Sequence, residues 1–397
     1  MVPNSHLQIP LPDGLSEHLR GELRAKLAFV DQRISGATLD RENSTIHVEF
    51  SQALGDREIS GIKDKVDQVL AAMVDHEFEP EIRILEDHSR TKFSCTQDPM
   101  PGLVAGRDVL PEGKGVFAFG PLLARLVDRF EDKMKSIAGD FGAAPYRFPS
   151  LISPGYLERV KYFSNFPHSL CFVTHLREDL EVIKNFATDG HAEDGCVVAP
   201  DGSYAQAQAM LSPTVCHHLY MMLADSTLPE DGLAATAFGN CFRYESINMV
   251  SLERLWNFTM REIIFVGGAD YVIDRLEAAK SKMNEVLAEI DLAYRIETAT
   301  DPFFVGNYRD LAAYQTAFEL KHEVRAQLPY SGDSLAIGSY NRHQDFFGRT
   351  LDIRLPDGNF AHTGCVGFGF ERTVFAFIAQ HGSDPENWPA GMKDAIA

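Results

Sequence analysis

The chain has 397 residues, 45% of them hydrophobic, enough to bury a large core spread over two or three domains. Its formal net charge of −20 argues against a broad nucleic-acid footprint, because phosphate contacts need clustered Lys and Arg. No apolar run of about 18 residues, no basic-then-apolar leader and no CxxC pair among the six cysteines is present, so the expectations are no membrane span, no secretory signal and a reduced cytoplasmic setting.

In chain order, residues 1–90 read as a small α/β unit. The stretches 15–30 and 57–74 carry helical spacing, 44–50 alternates as a strand, and 77–85 reads as a further strand. A polar, irregular run begins at 86, and 91–114 is read as a linker to a larger domain, 115–397. There, 120–137 places Leu123, Leu126, Val127, Phe130 and Met134 on one helix face. PYRFPSLIS (145–153) reads as extended with Pro149 inside it, which marks an edge, a bulge or a subunit boundary. CFRYES (241–246) and LWNFTMREIIFVGG (255–268) read as two strands joined by a polar loop, with Arg243 and Glu245 on one face. A long helix is expected over 270–295, and CVGFGFERTVFAFIAQHG (365–382) alternates Gly with Phe before passing into an apolar helix. Taken singly, the Arg243–Glu245 pair is a surface ion pair and each Cys a small buried apolar residue.

Three segments taken together say more. A helix leading to a Pro-containing strand, then Phe242-Arg243-x-Glu245 with Phe258 and Glu262 beyond a loop, then Gly367-x-Gly369-x-Glu371-Arg372 entering a helix, resemble motifs 1, 2 and 3 of the class II aminoacyl-tRNA synthetases across roughly 115–385. That resemblance implies an α+β fold, an antiparallel sheet flanked by helices, dimerising through the motif-1 helix and strand. It implies that Arg243 clamps the α-phosphate of ATP, that Glu245 faces adenine, that Phe258 stacks on the base, and that Arg372 covers its other face and reaches the γ-phosphate. A planar guanidinium suits both the phosphate fork and the stacked cation. Arg254 and Leu255 at the end of the motif-2 loop, and Lys321, join the nucleotide-binding set by the same resemblance.

SYNRHQDFFGRTLDI (339–353) and AHTGC (361–365) are similar to the seryl branch, in which Ser339 is matched, but Ala336 stands where seryl enzymes carry a Mg²⁺-binding glutamate. Cys216, Glu262 and Cys365 follow the order of the zinc set of the atypical archaeal seryl-tRNA synthetases and of their truncated relatives, the amino acid:[carrier protein] ligases. PTVCHHLY, YFSNFPHSL, LKHEV and HQDFFG are most similar to the carrier-protein ligases. Two thiolates and one carboxylate leave a fourth tetrahedral position of Zn²⁺ open, where a substrate amino group could bind. His217 and His218, beside Cys216, are expected to orient a neighbour or face water rather than ligate.

The activity this resemblance implies is formation of an aminoacyl-adenylate from ATP, with Mg²⁺ assisting, and transfer of a small amino acid, glycine or alanine, to the phosphopantetheine thiol of a carrier protein. The alternatives are seryl-tRNA synthetase-like tRNA aminoacylation and a catalytically silent paralogue acting as a regulator. A tRNA acceptor is disfavoured, because only about 90 residues precede the linker and they are not basic.

Overall fold

The structure is a computed structural model; it describes residues 4–11, 17–40, 44–74, 82–301 and 308–393. Most of the expected strand 77–85 therefore lies outside the described residues.

The N-terminal unit is a three-stranded antiparallel sheet with Thr45–Leu54 in the middle, Asn4–Pro10 on one side and Ile34–Asp40 on the other. Helices Glu17–Leu27 and Asp56–Val74 accompany it. Alternation along Thr45–Leu54 buries Ile46, Val48 and Phe50, which meet Leu23, Leu27, Ile62 and Val66 in a core of its own. Two of its strands, Asn4–Pro10 and Ile34–Asp40, were not signalled by pattern: each is short and mostly polar or small.

The large unit is built on an eight-stranded sheet. From edge to edge its strands are Ile84–His88, Tyr294–Thr298, Lys321–Leu328, Asp333–Gln344, His362–Gly369, Asn257–Gly267, Leu233–Phe242 and Ala144–Tyr146. All pairings are antiparallel except the last, which is parallel. Ile84–His88, which the sequence reading groups with residues 1–90, thus forms an edge of this sheet. One face is covered by helices Pro121–Asp140, Ala269–Glu289 and Phe370–His381, which close the main core around Phe130, Phe265, Phe370, Phe375 and Phe377. The other face is partly roofed by Cys216–Met222, Phe346–Leu351 and the segment around Tyr156, leaving its middle as the floor of a cleft.

One expectation is corrected in the motif-1 region. Leu123, Leu126, Phe130 and Met134 share a helix face, and that face packs into the main core. Pro149 sits between the short strands Ala144–Tyr146 and Leu151–Ile152, not within one, as its missing N–H requires. The same helix is tied to the sheet by a buried ion pair: Glu131 accepts from Arg261 Nε at 2.7 Å and from a second guanidinium nitrogen, while Arg261 Nη1 donates to Thr236 Oγ1 at 2.9 Å.

Candidate active site

The cleft floor is set by register. Glu262 lies opposite Ala237 on one neighbour and Gly367 on the other; Gly367 lies opposite Ser339, and Ser339 opposite Glu323. One row over, Cys365, Asn341 and Lys321 are aligned in the same way. Directly paired residues share a face, so these side chains project together. A Cβ at 367 would meet the flexible tip of Met260, its Cε, at 2.8 Å and stand 3.9 Å from Glu262 Oε1, so a larger residue there would first displace the Met260 side chain.

Cys216, Glu262 and Cys365 converge although 149 residues separate the first from the last (365 − 216). Their two sulfurs and a carboxylate oxygen all lie within 4.8 Å of one another, and all three residues are buried. Thr214 Oγ1 donates to Glu262 Oε1 at 2.7 Å and Val215 N at 3.4 Å, whereas buried Glu262 Oε2 takes no hydrogen bond. Asn341 Nδ2 lies 3.6 Å from Cys365 Sγ and 3.0 Å from Ser339 Oγ, where it donates. Burial, with Cys365 close by, pushes the Glu262 carboxyl up to about 7. Burial likewise holds Cys216 well above the ordinary thiol value, while the neighbouring Cys216 thiol holds that of Cys365 well below it. Three acidic groups packed this closely in low dielectric disfavour one another's charge, which a divalent cation reverses. A tetrahedral Zn²⁺ with bonds of about 2.0–2.3 Å needs ligand atoms roughly 3.3–3.8 Å apart. The trio, with its unpartnered carboxylate oxygen, fits such an ion.

A second cluster lines the same floor. Strand Leu233–Phe242 ends one residue before Arg243, so Arg243 and Glu245 lie on the turn beyond it rather than along a strand face. The two do not pair. Arg243 Nε donates to Pro213 O at 3.0 Å, and its guanidinium lies 5.4 Å from the Phe258 ring centroid. Glu245 instead accepts from Arg254 Nη1 at 2.7 Å, and its other oxygen is 3.8 Å from Arg372 Nη2. Burial and the neighbouring Arg254 bring the Arg372 guanidinium down to about 10, the signature of cations crowded together with too few anions. Arg372 Nη1 also lies 3.4 Å from the carbonyl of Ala336, to which it donates, so position 336 contributes backbone only. Glu371 accepts from Thr259 N and Oγ1, each at 2.9 Å, and locks the motif-3 helix onto the strand carrying Glu262.

Other singled-out residues fall differently. The Leu255 side chain is 3% exposed in the main core, so whatever it offers a nucleotide comes from its backbone. Lys321 is on the floor, held by Asp301 at 3.0 Å and Glu323 at 3.2 Å, two acids that spacing alone did not single out. His217 and His218 do not face water: His217 is packed among Tyr156, Tyr162 and Phe347, and His218 stacks on Phe148. Thr214 and Asn341 were also missed. Asn341 was legible as the next same-face residue after Ser339, whereas Thr214 is in a coil with no periodic cue.

Residues 203–381 match the tRNA synthetase class II core domain (G, H, P, S and T). Amino acid--[acyl-carrier-protein] ligase 1 of Bradyrhizobium diazoefficiens is 32% identical over 289 residues, which are 71% of this chain and 85% of that relative. The chain belongs to the amino acid–[acyl-carrier-protein] ligase family. It is therefore a ligase. The second such ligase of the same organism is 31% identical, over 63% of this chain and 73% of its own length. The type-2 serine--tRNA ligase of Methanopyrus kandleri is 23% identical over 72% of this chain and 57% of that relative. Among solved structures, the M. kandleri SerRS in complex with A. aeolicus tRNASec superposes with a TM-score of 0.71 at 19% identity, covering 98% of this chain and 77% of that one. The fold of the ligase is thus the class II synthetase fold, mixed antiparallel sheet and flanking helices included.

Proposed function

We propose that this ligase activates a small amino acid with ATP and transfers it to the phosphopantetheine thiol of a carrier protein. The observation that carries the proposal is the meeting, on one sheet face, of the Cys216–Glu262–Cys365 trio and the Arg243, Arg254, Arg372 cluster. Cys216, Glu262 and Cys365 would hold Zn²⁺, which supplies a Lewis-acidic position for the substrate's neutral α-amino group. Arg243, at the end of its strand, grips the α-phosphate; Arg254 and Arg372 take the outer phosphates when Glu245 turns to the adenine. Phe258 offers a stacking face. Lys321, already shared between Asp301 and Glu323, sets the charge of the floor near Ser339.

The substrate carboxylate oxygen attacks the α-phosphorus and pyrophosphate leaves, giving the mixed anhydride. The carrier's thiolate then attacks the anhydride carbonyl carbon, the thioester forms and AMP leaves. Positioning and charge stabilisation carry the first step, so no side-chain base is needed. Mg²⁺, if used, would supply charge neutralisation of the phosphates; Ser339 is the residue on the floor that could help hold it, because Ala336 offers no carboxylate.

Glycine and alanine differ by one methylene, worth about 1–3 kcal/mol in a pocket, so the two compete. Met260 Cε lies 2.8 Å from where a Cβ on residue 367 would stand, so the Met260 side chain fills space beside Glu262, in keeping with a small substrate side chain. The test is ATP–pyrophosphate exchange across the amino acids, followed by transfer of labelled glycine, alanine or serine to a phosphopantetheinylated carrier protein or to tRNA. Label on carrier supports the proposal. Label on tRNA alone supports instead the seryl-tRNA synthetase-like reading, which the fold likeness to the M. kandleri enzyme favours. Absence of amino-acid-dependent exchange defeats both.

A further inference from the structure

The N-terminal unit touches the nucleotide cluster. The turn Ser246–Asn248 follows Glu245 directly, and Ser246 holds a left-handed backbone at φ 53°. Such a conformation persists in a non-glycine residue where its surroundings fix it. Ser246 Oγ donates to the carbonyl of Ala28 at 2.9 Å, and Ile247 packs on the N-terminal core. Next to Ala28, the Phe29 ring meets His168 edge-on at 5.0 Å and Tyr244 at 6.5 Å. His168 lies in the turn Pro167–Ser169, whose Ser169 carbonyl accepts from Tyr244 N at 3.2 Å. Tyr244 in turn meets Trp256 at 5.0 Å, on the far side of the loop that ends with Arg254.

From this geometry we infer that residues 4–74 are a positioning clamp for the nucleotide site: Ala28 and Phe29 fix the turn that carries Glu245, and with it the Arg254–Glu245–Arg372 cluster. The inference rests on the proposed nucleotide role of that cluster. It assigns the N-terminal unit to the first half-reaction, binding of ATP, rather than to recognition of the acceptor. Phe29 and Ser246 act through Glu245 and Arg254 and touch no substrate themselves. The metal trio sits on the start of helix Cys216–Met222 and on strands Asn257–Gly267 and His362–Gly369, none of which carries a clamp contact named above, so the amino-acid end of the cleft is expected to respond less than the nucleotide end.

The experiment uses the full chain in three variants: Phe29→Ala, Ser246→Ala and, as a control on an exposed face of the N-terminal unit, Lys63→Ala. Two readouts are taken, amide hydrogen exchange of residues 244–250 and the KM values for ATP and amino acid in pyrophosphate exchange. Loss of the ring contacts is expected to raise KM for ATP about 3- to 10-fold and to speed exchange of the 244–250 amides, with KM for amino acid changed less. Ser246→Ala should move both in the same direction by less, which serves if Phe29→Ala fails to fold, and Lys63→Ala should move neither. Unchanged amide exchange in both clamp variants overturns the inference. So does an unchanged KM for ATP with slower transfer to the acceptor, which would give the unit to acceptor binding. If the wild-type chain shows no pyrophosphate exchange the functional proposal fails, and the amide exchange still decides the clamp.

Discussion

Replacing Glu131 by Ala removes the carboxylate that neutralises Arg261 beneath the strand bearing Glu262. Both residues are buried, at 9% and 8% exposure, and among the described residues Arg261 is left with Thr236 as an uncharged partner. Stranding a guanidinium in this way costs about 3–5 kcal/mol, far more than an exposed pair is worth. At roughly 1.2 °C per kcal/mol for a chain of this size, the melting temperature should fall by about 4–6 °C. The double variant Glu131→Leu/Arg261→Met replaces charge with apolar volume and should recover much of the loss, because the penalty belongs to the unpaired charge and not to the absent pair. Thermal or urea unfolding of the wild type and of the single and double variants measures the coupling. A single-variant loss below about 1 kcal/mol, or strict additivity, would refute the reasoning that this pair is desolvated and obligate.

Arg372→Ala should lower amino-acid-dependent pyrophosphate exchange by on the order of a hundredfold or more, and Lys should restore little, because a point charge lacks the planar fork; steady-state exchange rates check this. Burial, with Lys26 nearby, depresses the His168 imidazole to about 4, against 6.5 for a free one, and Glu245 opposes this only partly. The folded state therefore binds the proton less well than the unfolded chain. The stability this contributes is complete above pH 6.5 and is lost as pH falls toward 4, approaching about 3 kcal/mol. Urea unfolding across that window should show the slope, and His168→Phe should flatten it. Gly348→Ala should destabilise strongly, since a Cβ there would lie 2.1 Å from the Ala361 carbonyl oxygen; a melting temperature within 2 °C of wild type would contradict that geometry.

The fold was legible where one period ran long. Helices Pro121–Asp140 and Phe370–His381 and strands Asn257–Gly267 and His362–Gly369 lie where spacing and Gly–Phe alternation placed them, whereas the helix expected over 270–295 ends at Glu289 and the last residues of that span, Tyr294 and Arg295, open a strand of the main sheet. The small strands of the N-terminal unit were not, since Ile34–Asp40 buries only Ile34 and Ala37. The convergence of Cys216 with Cys365 came from likeness of motifs, because no local pattern brings a helix start and a distant strand together. The partners of Glu245 were misjudged for a related reason. Two residues apart suggests a shared strand face, but the strand stops at Phe242, and Glu245 turns to Arg254 across the loop and to Arg372, which is distant in sequence. Leu255 shows the converse: its place beside Arg254 resembles a binding position, yet its side chain is core.

The central claim is an ion held by two thiolates and one carboxylate with its fourth position open to substrate. Co²⁺ substituted into the metal-stripped chain reports on it directly by visible absorption. The account expects one ion per chain, tetrahedral d–d bands with sulfur charge transfer, and a spectral change on adding glycine or alanine but not ATP alone. A chain that takes up no ion, or a spectrum indifferent to every amino acid, would contradict it.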